Sequence, residues 1–159
     1  MTHRFHPTML REYDIRGVVG DTLSDADAHA IGRSFATLIA RAGGKRVAVG
    51  YDGRLSSPML ADALIAGINA AGIDALNVGL GPTPMLYYAA STEDVDGGIQ
   101  ITGSHNPPDY NGFKMVFQGR PFFGADIQRI GEIAAAGDWE VGEGTTESLD
   151  IVDAYVDRL

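Results

Sequence analysis

Apolar and polar positions switch between two periods along this chain. Ile31, Phe35, Leu38, Ile39 and Ala42 fall on one side of a helix, which Gly43 and Gly44 end. Ser24 followed by Asp27 supplies a capping-box start for that helix. Residues 46–50 (RVAVG) form a short β-branched run that reads as a buried strand. A second helix opens near Ser57 and Pro58, carries Leu60, Leu64, Ile65 and Ile68 on one face, and ends at Gly72. Further strands are predicted over 75–78, 98–103 and 113–117, and further helices over 82–90, 125–136 and 149–159. Residues 113–117 (FKMVF) alternate cleanly and are expected to return antiparallel to the strand before them. This βαβαβαβ order predicts a three-layer α/β/α sandwich with a mixed, mostly parallel sheet.

The polar, glycine-rich stretch 137–148 reads as a linker. Residues 1–137 are therefore expected to form one domain, and 138–159 a linker with the first helix of a next domain. A length of 159 residues and an apolar share of 45% suit a globular core.

Charge and cysteine content then remove several classes of function. Twelve basic residues against 21 acidic ones give a net charge of −9, which argues against nucleic acid or an anionic membrane as partner. The charge is uneven: residues 121–159 hold 9 acids and 2 bases, whereas 1–120 hold 12 and 10. The body can still bind an anion locally. With no cysteine there is no disulfide, no thiolate metal site and no thiol nucleophile. No apolar run approaches the ~18 residues of a membrane span, and the first residues lack a signal-peptide core, so a cytoplasmic location is expected.

Two polar clusters follow predicted strands. Asp52-Gly53-Arg54 follows 46–50, and Ser104-His105-Asn106 follows 98–103. If those strands are parallel, both clusters share the carboxyl edge of the sheet, where ligands of open α/β folds bind. Pro107, Pro108 and the Asn111-Gly112 turn stiffen the loop that begins at Ser104. Lys114, one of only two lysines, starts the returning strand and is expected close to Ser104. Serine, histidine, lysine and arginine converging on one edge suit a phosphate. Taken singly, each is an ordinary turn or surface residue; only their convergence makes a site.

Other chemistries fit less well. The G-x-S-x-G elbow is absent, and His105 adjoins Ser104, so the two diverge and do not form a triad pair. Residues 79–82 (GLGP) lack the third glycine of a dinucleotide loop, and no GxxxxGK[ST] occurs. His3, His6 and His29 have no metal-ligand spacing.

The segment TGSHNPPDYNG at 102–112, followed by Phe113 and Lys114, resembles the phosphoserine loop of the α-D-phosphohexomutase family. YDIRG at 13–17, VGYDGR at 49–54 and GPTP at 81–84 occur in the family's order, most like its bacterial phosphomannomutase/phosphoglucomutase branch. The resemblance implies the first domain of a four-domain isomerase, present as an N-terminal fragment that ends in the next domain's opening helix. It implies that Ser104 carries a phosphoryl group, which passes to a hexose 1- or 6-phosphate through a hexose 1,6-bisphosphate. Arg16, His105 and Lys114 hold the catalytic-neighbour positions, with the proton carrier left open among them. Tyr13 and Asn106 would position the loop, and Arg54 would bind phosphate. Mg2+ would sit on the Ser104 phosphate, with carboxylate ligands from a D-G-D-x-D-R loop that this sequence lacks.

The implied partners are a phosphohexose and the later domains, and the isolated chain is expected to be nearly inactive and able to self-associate. The alternative from another class is a non-catalytic α/β module that binds phosphosugars or a protein partner.

Overall fold

The computed structural model describes residues 2–158. Met1, and Leu159 at the end of the last expected helix, lie outside the described residues. In chain order the elements are β1 (Ile15–Val18), α1 (Asp25–Arg41), β2 (Arg46–Tyr51), α2 (Ser57–Ala70), β3 (Asp74–Leu80) and α3 (Thr83–Thr92). There follow β4 (Gly97–Ile101), β5 (Tyr110–Phe117), β6 (Arg120–Pro121), α4 (Ala125–Ala136), β7 (Thr146–Ser148) and α5 (Val152–Asp157).

The strands form one sheet in the order β1-β5-β4-β2-β3-β7, with β6 paired to β5. β4, β2, β3 and β7 are mutually parallel, while β5 is antiparallel to β4, β1 and β6. β5 alone therefore runs against the rest. This is the mixed, mostly parallel α/β/α sandwich that the element order predicts.

Strand alternation sorts side chains to two unequal faces. Ile15, Val47, Val49, Ile99, Ile101 and Phe113 join the larger core, beneath α1, α2 and α4. Ala48, Leu76 and Val78 face the other way and meet Met85, Leu86 and Ala89 of α3 and Ile151 before α5. On the larger face, α1 and α2 cross in close contact. A Cβ at Gly32 would strike the Leu64 carbonyl, and one at Gly67 would strike that of His29. Ser24 and Asp27 form the expected reciprocal cap on α1.

Three strands are additional to those the pattern predicts. β1 is only four residues (IRGV) and shows no clean alternation; its pairing with β5 holds it in the sheet. β6 is two residues that pair with the end of β5. β7 lies within the stretch 137–148 that the composition reads as a linker. Residues 137–148 run along the body: Trp139 Nε1 donates to Ser34 Oγ at 2.9 Å, and Arg41 pairs with Asp138 at 3.0 Å. The chain then adds β7 beside β3, register Ala75↔Thr146 to Asn77↔Ser148. Three exposed polar residues (TES) give no hydrophobic signal; backbone pairing holds them, with the Asn69 side chain hydrogen-bonded to Thr146 Oγ1 and Arg46 pairing with Glu147. The final helix is shorter than expected and sets Tyr155 at a tilt against Tyr88 of α3, with ring centroids 5.9 Å apart.

Candidate active site

β2 and β4 pair in parallel, Val47↔Gly97 to Tyr51↔Ile101, so Asp52-Gly53-Arg54 and Ser104-His105-Asn106 do leave the sheet at one edge. Between β4 and β5 lies the Ser104 loop. Ser104 is exposed, and its φ of 53° places it in the left-handed region that non-glycine residues seldom occupy. His105 beside it is also exposed.

Beneath the loop is a dense hydrogen-bonded base. Arg54 Nη2 donates to the carbonyl oxygens of Ser104 (3.1 Å) and Asn106 (2.8 Å). Its Nη1 donates to those of Pro107 (2.5 Å) and Tyr110 (3.1 Å). Arg54 Nε faces Asp52 Oδ2 at 3.4 Å. Asp52 also accepts from the Gly103 N–H at 2.9 Å, the Ser57 hydroxyl at 2.6 Å and the Arg54 N–H at 3.1 Å. Burial acts to raise the Asp52 pKa. The hydrogen bonds from Ser57, Gly103, Arg54 and Thr102 outweigh it and hold the carboxyl below its ordinary value. Buried Asn111 donates from Nδ2 to both Ser56 and Ser57, which ties the far end of the loop to the start of α2. A Cβ at Gly103 would overlap the Arg54 guanidinium, so a side chain there forces the arginine to move.

Two of the predicted cations stand apart from this base. Arg16 lies opposite Gly112, so its side chain leaves the sheet on the face away from Ile15 and Phe113. Lys114 is two residues further along β5 and takes the same face. A bidentate pair with buried Asp14 orients Arg16 (Nη2–Oδ2 2.7 Å, Nε–Oδ1 3.1 Å). Lys114 lines a pocket with Tyr13, Tyr87, Pro121, Phe122 and Phe123. Tyr13, 74% exposed, stacks on Phe123 with ring centroids 6.1 Å apart.

The register sets Lys114 opposite Gln100, four residues before Ser104 in sequence. This is further from the loop than the alternation of 113–117 implied, because β5 begins at Tyr110. Asp14 and Ser57 are site residues that the sequence does not mark, whereas Asp52 and Asn111 are visible there only as parts of turns; Asn111 and Gly112 instead lie in β5. The sequence signal for Asp52 was the D-G-R turn itself; Asp14, Ser57 and Asn111 act through burial, which a motif does not show.

Taken together, these features define an α/β/α domain that presents a braced, serine-bearing loop at the carboxyl edge of its parallel strands. Residues 7–141 match the family described as "Phosphoglucomutase/phosphomannomutase, alpha/beta/alpha domain I", and the chain belongs to that family. It is 45% identical over 152 residues to a phosphomannomutase/phosphoglucomutase of Pseudomonas aeruginosa, a match covering 96% of this chain and 33% of that protein. A phosphoglucomutase of Neisseria gonorrhoeae is 45% identical over 153 residues, covering 95% of this chain and 33% of its own length.

The crystal structure of a phosphoglucomutase/phosphomannomutase family protein from Burkholderia thailandensis superposes with a TM-score of 0.95 at 44% identity. That match covers 97% of this chain and 35% of the other. The chain thus spans about a third of the length of the curated relatives it matches. No helix among the described residues is long and apolar enough to cross a membrane.

Proposed function

We propose that this chain is the phosphoserine-bearing domain of a phosphohexomutase acting on glucose or mannose phosphates, and that Ser104 Oγ carries the phosphoryl group. The observation that carries the reading is the exposed serine on a loop fixed from below, beside a face where Arg16 and Lys114 stand. In the forward half-reaction a hydroxyl of the hexose phosphate attacks phosphorus, the P–Oγ bond breaks, and Ser104 regains a proton. The hexose 1,6-bisphosphate formed then returns its other phosphoryl group to Ser104.

Arg16 offsets charge on the transferring group, while His105 and Lys114 are the candidates for moving the proton. Tyr13 and Asn106 border the reacting sugar and the loop. Phosphoryl transfer from a serine needs such neutralisation because the hydroxyl is a poor leaving group.

Mg2+ supplies charge neutralisation to phosphohexomutases generally. Among the described residues no group of three or more His, Asp or Glu side chains could hold a metal. The chain's own contribution to the ion would be an oxygen of the Ser104 phosphoryl group. The later domains of a longer enzyme are the proposed source of the remaining ligands and of sugar choice.

The test is intact mass after incubation with glucose 1,6-bisphosphate and Mg2+. One phosphoryl adduct on the native chain, absent in Ser104→Ala, is the expected result, with little or no mutase turnover by the chain alone. Saturable binding of the bisphosphate without an adduct would instead support a non-catalytic phosphosugar-binding module.

A further inference from the structure

We propose that Arg54 is a positioning residue that holds Ser104 in its left-handed conformation, and not a ligand of the substrate phosphate. A guanidinium has five N–H donors in a rigid fork. Here Nη1 serves the Pro107 and Tyr110 carbonyls, Nη2 serves those of Ser104 and Asn106, and Nε faces Asp52. Both terminal nitrogens are thus occupied by loop carbonyls, and the remaining Nε is turned to Asp52 as an ion pair, so the fork that would grip a phosphate is already in use. The charge is matched as well, because Asp52 is held ionised by hydrogen bonds from Ser57 and the Gly103 N–H. Arg54 differs in this from Arg16, whose partner Asp14 engages Nε and Nη2 alone.

The four carbonyls turned toward Arg54 belong to the loop that carries Ser104. Their negative ends point at the guanidinium, which keeps them from repelling a phosphoryl group on the serine. Ser104 N–H donates to Thr102 Oγ1 at 3.0 Å, so the residue is tied on both its amide and its carbonyl side. Gly103 completes the device, because any side chain there would displace the guanidinium. Lysine cannot replace Arg54: one ammonium offers three donors from a single point, not a planar fork spanning four acceptors.

For its catalytic consequence the proposal rests on the phosphoryl-transfer reading above; its geometry does not. Two measurements on the same chain separate them. In Arg54→Lys, amide hydrogen exchange at Ser104, Asn106 and Tyr110 is expected to quicken at least about tenfold, while Gln100 and Met115 in β4 and β5 keep their protection. Gly103→Ala, which keeps the arginine, is expected to reproduce that pattern.

The second measurement is the rate of Ser104 phosphorylation against glucose 1,6-bisphosphate concentration. Arg54→Lys is expected to lower the maximal rate by about tenfold or more and leave the half-saturating concentration within about twofold. A raised half-saturating concentration with an unchanged maximal rate would make Arg54 a phosphate ligand and overturn the proposal. Native exchange across the loop in both variants would also overturn it. If the native chain accepts no phosphoryl group, the phosphoryl-transfer reading fails, and the exchange result alone decides the role of Arg54.

Discussion

Phe113 and Lys114 are neighbours on one strand and serve opposite ends. Phe113 is fully buried beneath α1, α2 and α4, among Ile15, Ile101 and Met115. Lys114 faces the other side, where α3 packs on β2 and β4 and the face of β5 and β1 is left open to a pocket. The same alternation that builds the core therefore presents Lys114 and Arg16 on a surface with little packing of its own. Stability lies on one face of the strand, and the cations offered to a phosphate lie on the other.

Substitutions on the two faces test that division. Phe113→Ala is expected to cost about 3–5 kcal/mol of unfolding free energy in a denaturant titration, since a large ring leaves a cavity. A loss below about 1 kcal/mol would mean the larger face is not where stability resides. Asp14→Asn lies at the boundary: the carboxylate is buried, but Arg16, which it aims, is partly exposed. A loss of about 1–2 kcal/mol is expected after allowing for solvent screening, with slower phosphorylation of Ser104 as Arg16 loses its orientation. Unchanged phosphorylation there would separate Arg16 from the site. Lys114→Ala is expected to shift stability by no more than about 0.5 kcal/mol, while lowering the phosphorylation rate at least about tenfold. A large stability loss with normal transfer would reverse the comparison.

Much of this division was legible in the sequence, because it rests on period. The cap at Ser24, the helical stripe from Ile31 to Ala42 and the alternation of 113–117 each express local physics that survives in the fold. The shared edge of the D-G-R and S-H-N clusters followed from the parallel pairing of two buried runs. What period could not show was anything held from a distance. β1 depends on β5, β7 depends on β3, and the register of Lys114 depends on where β5 begins. Arg54 is the sharpest case: a lone arginine after a strand reads as an anion ligand. Only the folded loop, 50 residues further along the chain, shows that both its terminal nitrogens are engaged by loop carbonyls.

The overlap between Gly103 and Arg54 also limits how this sequence can change. While position 54 is arginine, any side chain at position 103 pushes its guanidinium out of place. If the arginine is lost first, space opens at 103, but four carbonyls lose their common donor. Neither position can be altered ahead of the other without loss, and changing both still leaves the carbonyls unserved. Two residues far apart in the chain thus act as one unit.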